Sequence, residues 1–114
     1  MNKREKTAFG NYLVQLIKYA GMSQEEFYSE LGIAKAYFYD MLTKSPPPVE
    51  MQQKILSLMN RKLGFDSERN ARFYDLAAAE RNEIPADIAK LILNNPDRIP
   101  EIRLGLKEIL SAIH

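Results

Sequence analysis

Cysteine is absent from the 114 residues, and the single histidine is the last residue, His114. Disulfides and thiolate metal sites are therefore excluded, and a histidine-based zinc cage or triad would need partners that the chain cannot supply. No apolar run approaches the ~18 residues of a membrane span, so no membrane contact is expected. The basic start, Met1-Asn2-Lys3-Arg4-Glu5-Lys6, is not followed by the apolar core of a signal peptide. A reducing cytoplasm is the expected location. Large charge of either sign is also missing: 16 basic and 15 acidic side chains leave a net +1. There is no glycine-rich phosphate loop, and no nucleophile has a base in view, so an enzyme, a cofactor or a small-molecule ligand is not expected.

What is present is helical periodicity. The length suits one compact domain that buries roughly two thirds of its unfolded surface. The pattern predicts an all-α chain of five or six helices with no strand. The first covers about Lys6 to Tyr19, with Phe9, Leu13, Leu16 and Ile17 on one face and Gly21 as C-cap. Ser23 and Glu26 form a capping box that starts the second. Phe27 and Leu31 face inward, Gly32 permits a left-handed turn, and Ile33 plugs the corner. The third covers about Lys35 to Thr43, with Phe38, Met41 and Leu42 inward. Pro46-Pro47-Pro48 makes a stiff connector, and Pro48 opens a helix to about Lys62 built on Ile55, Leu58 and Met59. Gly64 stops it. Met22, Met41, Met51 and Met59 read as packing.

Beyond Gly64, Asp66 or Ser67 caps a helix from about Glu68 to Arg81 with Phe73, Leu76 and Ala77 as its core side. Pro85 opens a further helical segment to about Leu93, using Ile88, Leu91 and Ile92. Pro100 starts the last, where Ile99, Ile102, Leu106, Ile109 and Ile113 recur at steps of three and four. Residues 1–62 hold nine basic and six acidic side chains, and residues 63–114 seven and nine. The organisation expected is a unit over 1–64 and a helical extension over 65–114 that joins two copies. The alternative is that the last stripe folds back onto Phe73 and Leu76.

The stretch Ser23 to Met41 has the sequence form of a helix-turn-helix, whose second helix can lie in the DNA major groove. Phe9-Gly10, Leu13, Gly21-Met22-Ser23-Gln24-Glu25-Glu26-Phe27, Leu31-Gly32-Ile33, Tyr37-Phe38, Asp40-Met41, Pro48 and Lys54-Ile55 resemble the Cro/C1-type regulators, the phage-repressor-like or xenobiotic-response-element family. The likeness covers about 60 residues. A weaker one, through Ile84-Pro85-Ala86-Asp87-Ile88-Ala89 and Asn95-Pro96, extends to the tails of some of these regulators.

The resemblance implies a five- or six-helix lambda-repressor-like DNA-binding fold, double-stranded DNA as partner, a homodimer, and a role as a small bacterial or phage transcriptional regulator. It places Gln24 against a phosphate at a helix N-terminus. It places Lys35 and Ala36 toward the bases, Tyr37, Tyr39 and Asp40 on or beside the same exposed side, and Thr43 and Lys44 at the DNA backbone. Lys35 suits guanine, Asp40 suits cytosine N4 or pairs with a lysine, and Ala36 suits a thymine methyl. Lys3, Arg4 and Lys6 form an arm that reaches the backbone or is solvated.

The chain departs from the family pattern at Tyr28 (usually a small residue against the recognition helix), at Ala34 (usually a capping serine), at Leu42, and through Lys44-Ser45-Pro46-Pro47-Pro48. The helix 35–43 contains no Arg, Asn or Gln. Near-neutral charge and exposed tyrosines also fit an alternative use of the same fold as a protein-interaction module.

Overall fold

The computed structural model describes residues 4–112. Lys3 of the arm, Ile113 of the last stripe and His114 lie outside them. Among the described residues the chain is all helical: α1 (Ala8–Tyr19), α2 (Gln24–Glu30), α3 (Lys35–Thr43), α4 (Val49–Leu63), α5 (Ser67–Arg81), α6 (Ala86–Leu93) and α7 (Ile99–Ser111). A 3₁₀ turn, Pro96–Arg98, precedes α7. The count is seven, one for each segment marked in the sequence and above the expected total of five or six. Asn82 in the left-handed region, Pro85 and the Asn95-Pro96 break cut the C-terminal part into three separate helices.

The core is built around α1. Phe9, Leu13, Leu16 and Ile17 form its apolar stripe, and α2, α3, α4 and α5 all pack against it. Burying each Phe or Leu of this kind contributes about 1.5–3 kcal/mol. Helix α5 lies beyond residue 64 yet belongs to the same core. Phe73 is fully buried and meets Phe9 edge-on, with ring centroids 5.1 Å apart. Ala77 is fully buried beside it.

Helices α2 and α3 are held at their ends by local hydrogen bonds. The Ser23 hydroxyl accepts from the Glu26 N–H at 3.0 Å, and the Glu26 carboxylate accepts from the Ser23 N–H at 2.9 Å. This is the capping box legible in the sequence. At the other end of α2, Gly32 has φ +69°, so its N–H reaches the Ser29 carbonyl and the Ile33 N–H reaches the Tyr28 carbonyl, both at 3.0 Å. That paired closure turns the chain into α3 within a few residues. Ala34 offers α3 no side-chain cap.

Tyr28 does not splay α2 and α3 apart. Its ring packs on Phe38 at 5.6 Å, and Phe38 in turn meets Phe27 at 5.5 Å. The bulk at position 28 becomes part of a three-ring layer between the helices.

The proline connector is pinned and not free. Pro46 and Pro47 are buried. The buried Gln52 donates to the Pro47 carbonyl at 2.8 Å, and Arg81 donates to the Pro46 carbonyl at 3.0 Å. These two bonds satisfy carbonyls that a proline run cannot satisfy from its own backbone.

Helices α6 and α7 extend from this core. In α6 only Ala86 is buried, and in the described part of α7 no residue is. The stripe therefore does not fold back to bury itself on Phe73 and Leu76. Ile88, Leu91 and Ile92 of α6 instead face Ile102 and Leu106 of α7 across an open groove of about 660 Å³.

Candidate nucleic-acid interface

Helix α3 has two sides. Phe38, Met41 and Leu42 are buried and fix its rotation about its own axis. The 3.6-residue period then puts Ala36, Tyr39, Asp40 and Thr43 on the outward side, with Lys35 and Tyr37 at its edges. Lys35, Ala36, Tyr37 and Tyr39 are exposed, and Asp40 and Thr43 are half-buried. Gln24, exposed at the N-terminus of α2, shares a shallow hollow with Tyr28, Lys35 and Tyr39. Lys44 is exposed one step beyond α3. Ala36, Tyr39, Asp40 and Thr43 thus share one side of α3, with Lys35 and Gln24 at one border, Tyr37 at the opposite one and Lys44 just beyond its end.

Four of the eight sequence-predicted residues, Tyr39, Asp40, Thr43 and Lys44, have internal partners. The Thr43 hydroxyl donates to the Tyr39 carbonyl at 2.8 Å, so its proton is used within the helix. Asp40 is engaged by Arg4, whose Nη2 donates to Oδ1 at 2.9 Å, and by Lys44, whose Nζ lies 3.6 Å away. The hydrogen bond from Arg4 holds the Asp40 carboxyl below the usual carboxylate range, and Lys44 adds to the effect.

The sequence places Arg4 only in an arm that reaches the DNA backbone or is solvated, and does not foresee its contacts with Tyr39 and Asp40. Its guanidinium lies 4.5 Å from the centre of the Tyr39 ring, and its backbone N–H donates to the Tyr39 hydroxyl at 3.2 Å. Thr7 anchors the same segment. Its N–H donates to the Leu42 carbonyl at 3.0 Å, and its hydroxyl caps α1 by accepting from the Gly10 N–H at 3.0 Å. Arg4 and Asp40 stand 36 residues apart, and no short-range pattern links them. The nearest signal in the sequence is Thr7 itself, a cap residue that fixes where the arm leaves α1.

Arg4, Lys35 and Lys44 supply positive charge, and the one acidic group of α3, Asp40, is paired. The aromatic rings of Tyr37 and Tyr39 are each about one third exposed. Among the described residues no three His, Asp or Glu side chains gather as a metal site, and no helix is long and apolar enough to cross a membrane. Compared with known proteins, the chain matches no family model, no curated protein and no solved structure.

Proposed function

We propose that the chain is a sequence-specific double-stranded DNA-binding protein, a small bacterial or phage transcriptional regulator of the lambda-repressor-like class. Helix α3 is its recognition helix. The observation that carries this reading is the outward side of α3, left uncovered by the core and bordered by Gln24, Lys35, Arg4 and Lys44. A helix presented in this way, with a second helix N-terminus beside it, fits a major groove about 12 Å wide. Gln24 and Lys44 then meet phosphates, while Lys35, Ala36 and Tyr39 address base edges.

A homodimer belongs to the same proposal. A single module with net charge +1 holds DNA weakly, and two joined modules gain by effective concentration. The uncovered apolar sides of α6 and α7 provide the joining surface.

Selection of bound duplexes from a random pool tests the reading. An enriched motif with two half-sites about 34–36 Å apart supports it. A protein-docking use of the same face, favoured by Tyr37 and Tyr39, predicts no enriched motif. It also predicts affinity for its partner that barely changes with salt, whereas DNA affinity falls steeply as counterions compete.

A further inference from the structure

Within helix α3 Lys35 is the only cationic side chain that can donate to a guanine. Bidentate donation to guanine O6 and N7 is the commonest specific contact to DNA, and arginine makes it best. Between positions 35 and 43 there is no arginine. The arm brings one in. Thr7 ties the arm to the Leu42 carbonyl, and three residues earlier Arg4 reaches Tyr39 and Asp40 on the outward side of α3. These contacts fix both ends of a short segment along the helix.

We propose that Arg4 is a base-reading residue of this face, and that Tyr39 and Asp40 are positioning residues that aim its guanidinium at a guanine. The proposal rests on the DNA-binding reading above. Tyr39 supplies a flat surface for the guanidinium plane, which suits cation–π stacking. Asp40 accepts from one nitrogen and so fixes rotation about the stack. An arginine has five N–H donors in a rigid fork, and those not facing Asp40 remain available to a base edge. The side chain is 38% exposed, so it is held without being enclosed. The arrangement also changes the role of Asp40. A carboxylate standing alone in the groove would face the phosphates unfavourably. Paired with Arg4 and Lys44, it leaves the local charge positive.

The test compares wild type, Arg4→Ala, Arg4→Lys and Asp40→Asn on the selected duplex and on duplexes changed at one base pair, at several salt concentrations. Arg4→Ala should remove a preference for guanine at one position of each half-site, a discrimination of about 5- to 150-fold. Arg4→Lys keeps the charge but loses the planar fork. It should retain the salt dependence and lose most of the preference. Asp40→Asn should weaken the same preference without lowering affinity for unrelated duplexes, which a purely structural role for Asp40 would not do. Circular dichroism of each variant checks that the helices are intact. If Arg4→Ala weakens every sequence equally, Arg4 touches only phosphate and the proposal fails. If Arg4→Ala tightens binding, the arm is a cover and the proposal fails. An enriched wild-type motif that survives unchanged in Arg4→Ala overturns the Arg4 assignment alone. A wild-type chain that enriches nothing overturns the DNA reading and this proposal together.

Discussion

Gly10 of α1 lies directly against the Leu42 carbonyl of α3. A Cβ added at Gly10 would stand 2.1 Å from that oxygen. The same carbonyl accepts the Thr7 N–H, so one peptide group at the end of α3 holds both α1 and the arm. In an ordinary helix interior Gly→Ala gains about 1 kcal/mol. Here Gly10→Ala must push α1 and α3 apart, and overpacking of that kind costs about 1–3 kcal/mol. Urea denaturation should show a clear loss of stability. A stabilised Gly10→Ala would mean that the two helices do not meet so closely.

Phe73→Ala should destabilise the chain by about 3–5 kcal/mol, because it removes a fully buried ring and its edge-on contact with Phe9. Ending the chain at Gly64 should do more, since Phe73 and Ala77 are lost together and α1 is left with an uncovered face. Such a fragment is expected to show little cooperative unfolding by circular dichroism. A stable, cooperatively folding 1–64 fragment would show that α5 is dispensable.

Local features of this fold were legible because they are set by neighbours in the chain. The Ser23–Glu26 capping box, the turn at Gly32 and the buried trio Phe38, Met41 and Leu42 each follow from spacing of three or four residues. The partner of a helix face is another matter. The pattern of Phe73 and Ala77 shows that α5 buries one side, but the same pattern would serve a core in either half of the chain. Arg4 was harder still, since its place depends on where α1 and α3 lie in space. At the proline run the composition indicated stiffness. The two bonds that anchor it come from Gln52 and Arg81, and neither is marked by a motif.

The Arg4–Asp40 pair should be visible in a titration. The Asp40 carboxyl is held below its usual value near 4, chiefly by the Arg4 hydrogen bond. A carboxyl depressed in the folded chain supports folding above the unfolded value, and that support is lost as pH falls through the folded value. The pair should therefore open only below about pH 4. In Arg4→Ala the Asp40 midpoint, followed by NMR, should rise toward the ordinary value, with Lys44 still opposing a complete return. An unmoved midpoint would mean that the pair does not form in solution.

Contacts with bases and with phosphates should separate in a binding series. Lys35→Ala should reduce preference for the selected duplex by about 1–3 kcal/mol if Lys35 meets a base. Tyr39→Ala should reduce it as well, by removing its own contact and the platform beneath Arg4. Gln24→Ala and Lys44→Ala should weaken all duplexes more evenly, and Lys44→Ala should also reduce the salt slope by about one. Fluorescence anisotropy on matched and mismatched duplexes measures both quantities. Unchanged affinity and specificity in Lys35→Ala and Tyr39→Ala would mean that the wrong side of α3 has been assigned.

The open groove between α6 and α7 makes the strongest case for two joined copies. Leu91, Leu106, Ile109 and Leu110 are each at least half exposed, and Ile102 stands among them. Asn95, Arg98 and Glu101 also line the groove, and an exposed apolar patch bordered by polar groups in this way marks an interaction site more often than a free surface. Arg103, Lys107 and Glu108 lie to the sides and leave the stripe clear. Ile102→Glu with Ile109→Glu should give a folded monomer by light scattering, with weaker binding to the selected duplex. The isolated fold should lose less stability than a core substitution would cost, because Ile109 is exposed and Ile102 is only half-buried. That expectation separates the two roles of the stripe. A large loss of stability at concentrations where wild type is already monomeric would place the stripe in the chain's own core. A wild-type chain that stays monomeric at high micromolar concentration, free and on DNA, would defeat the dimer.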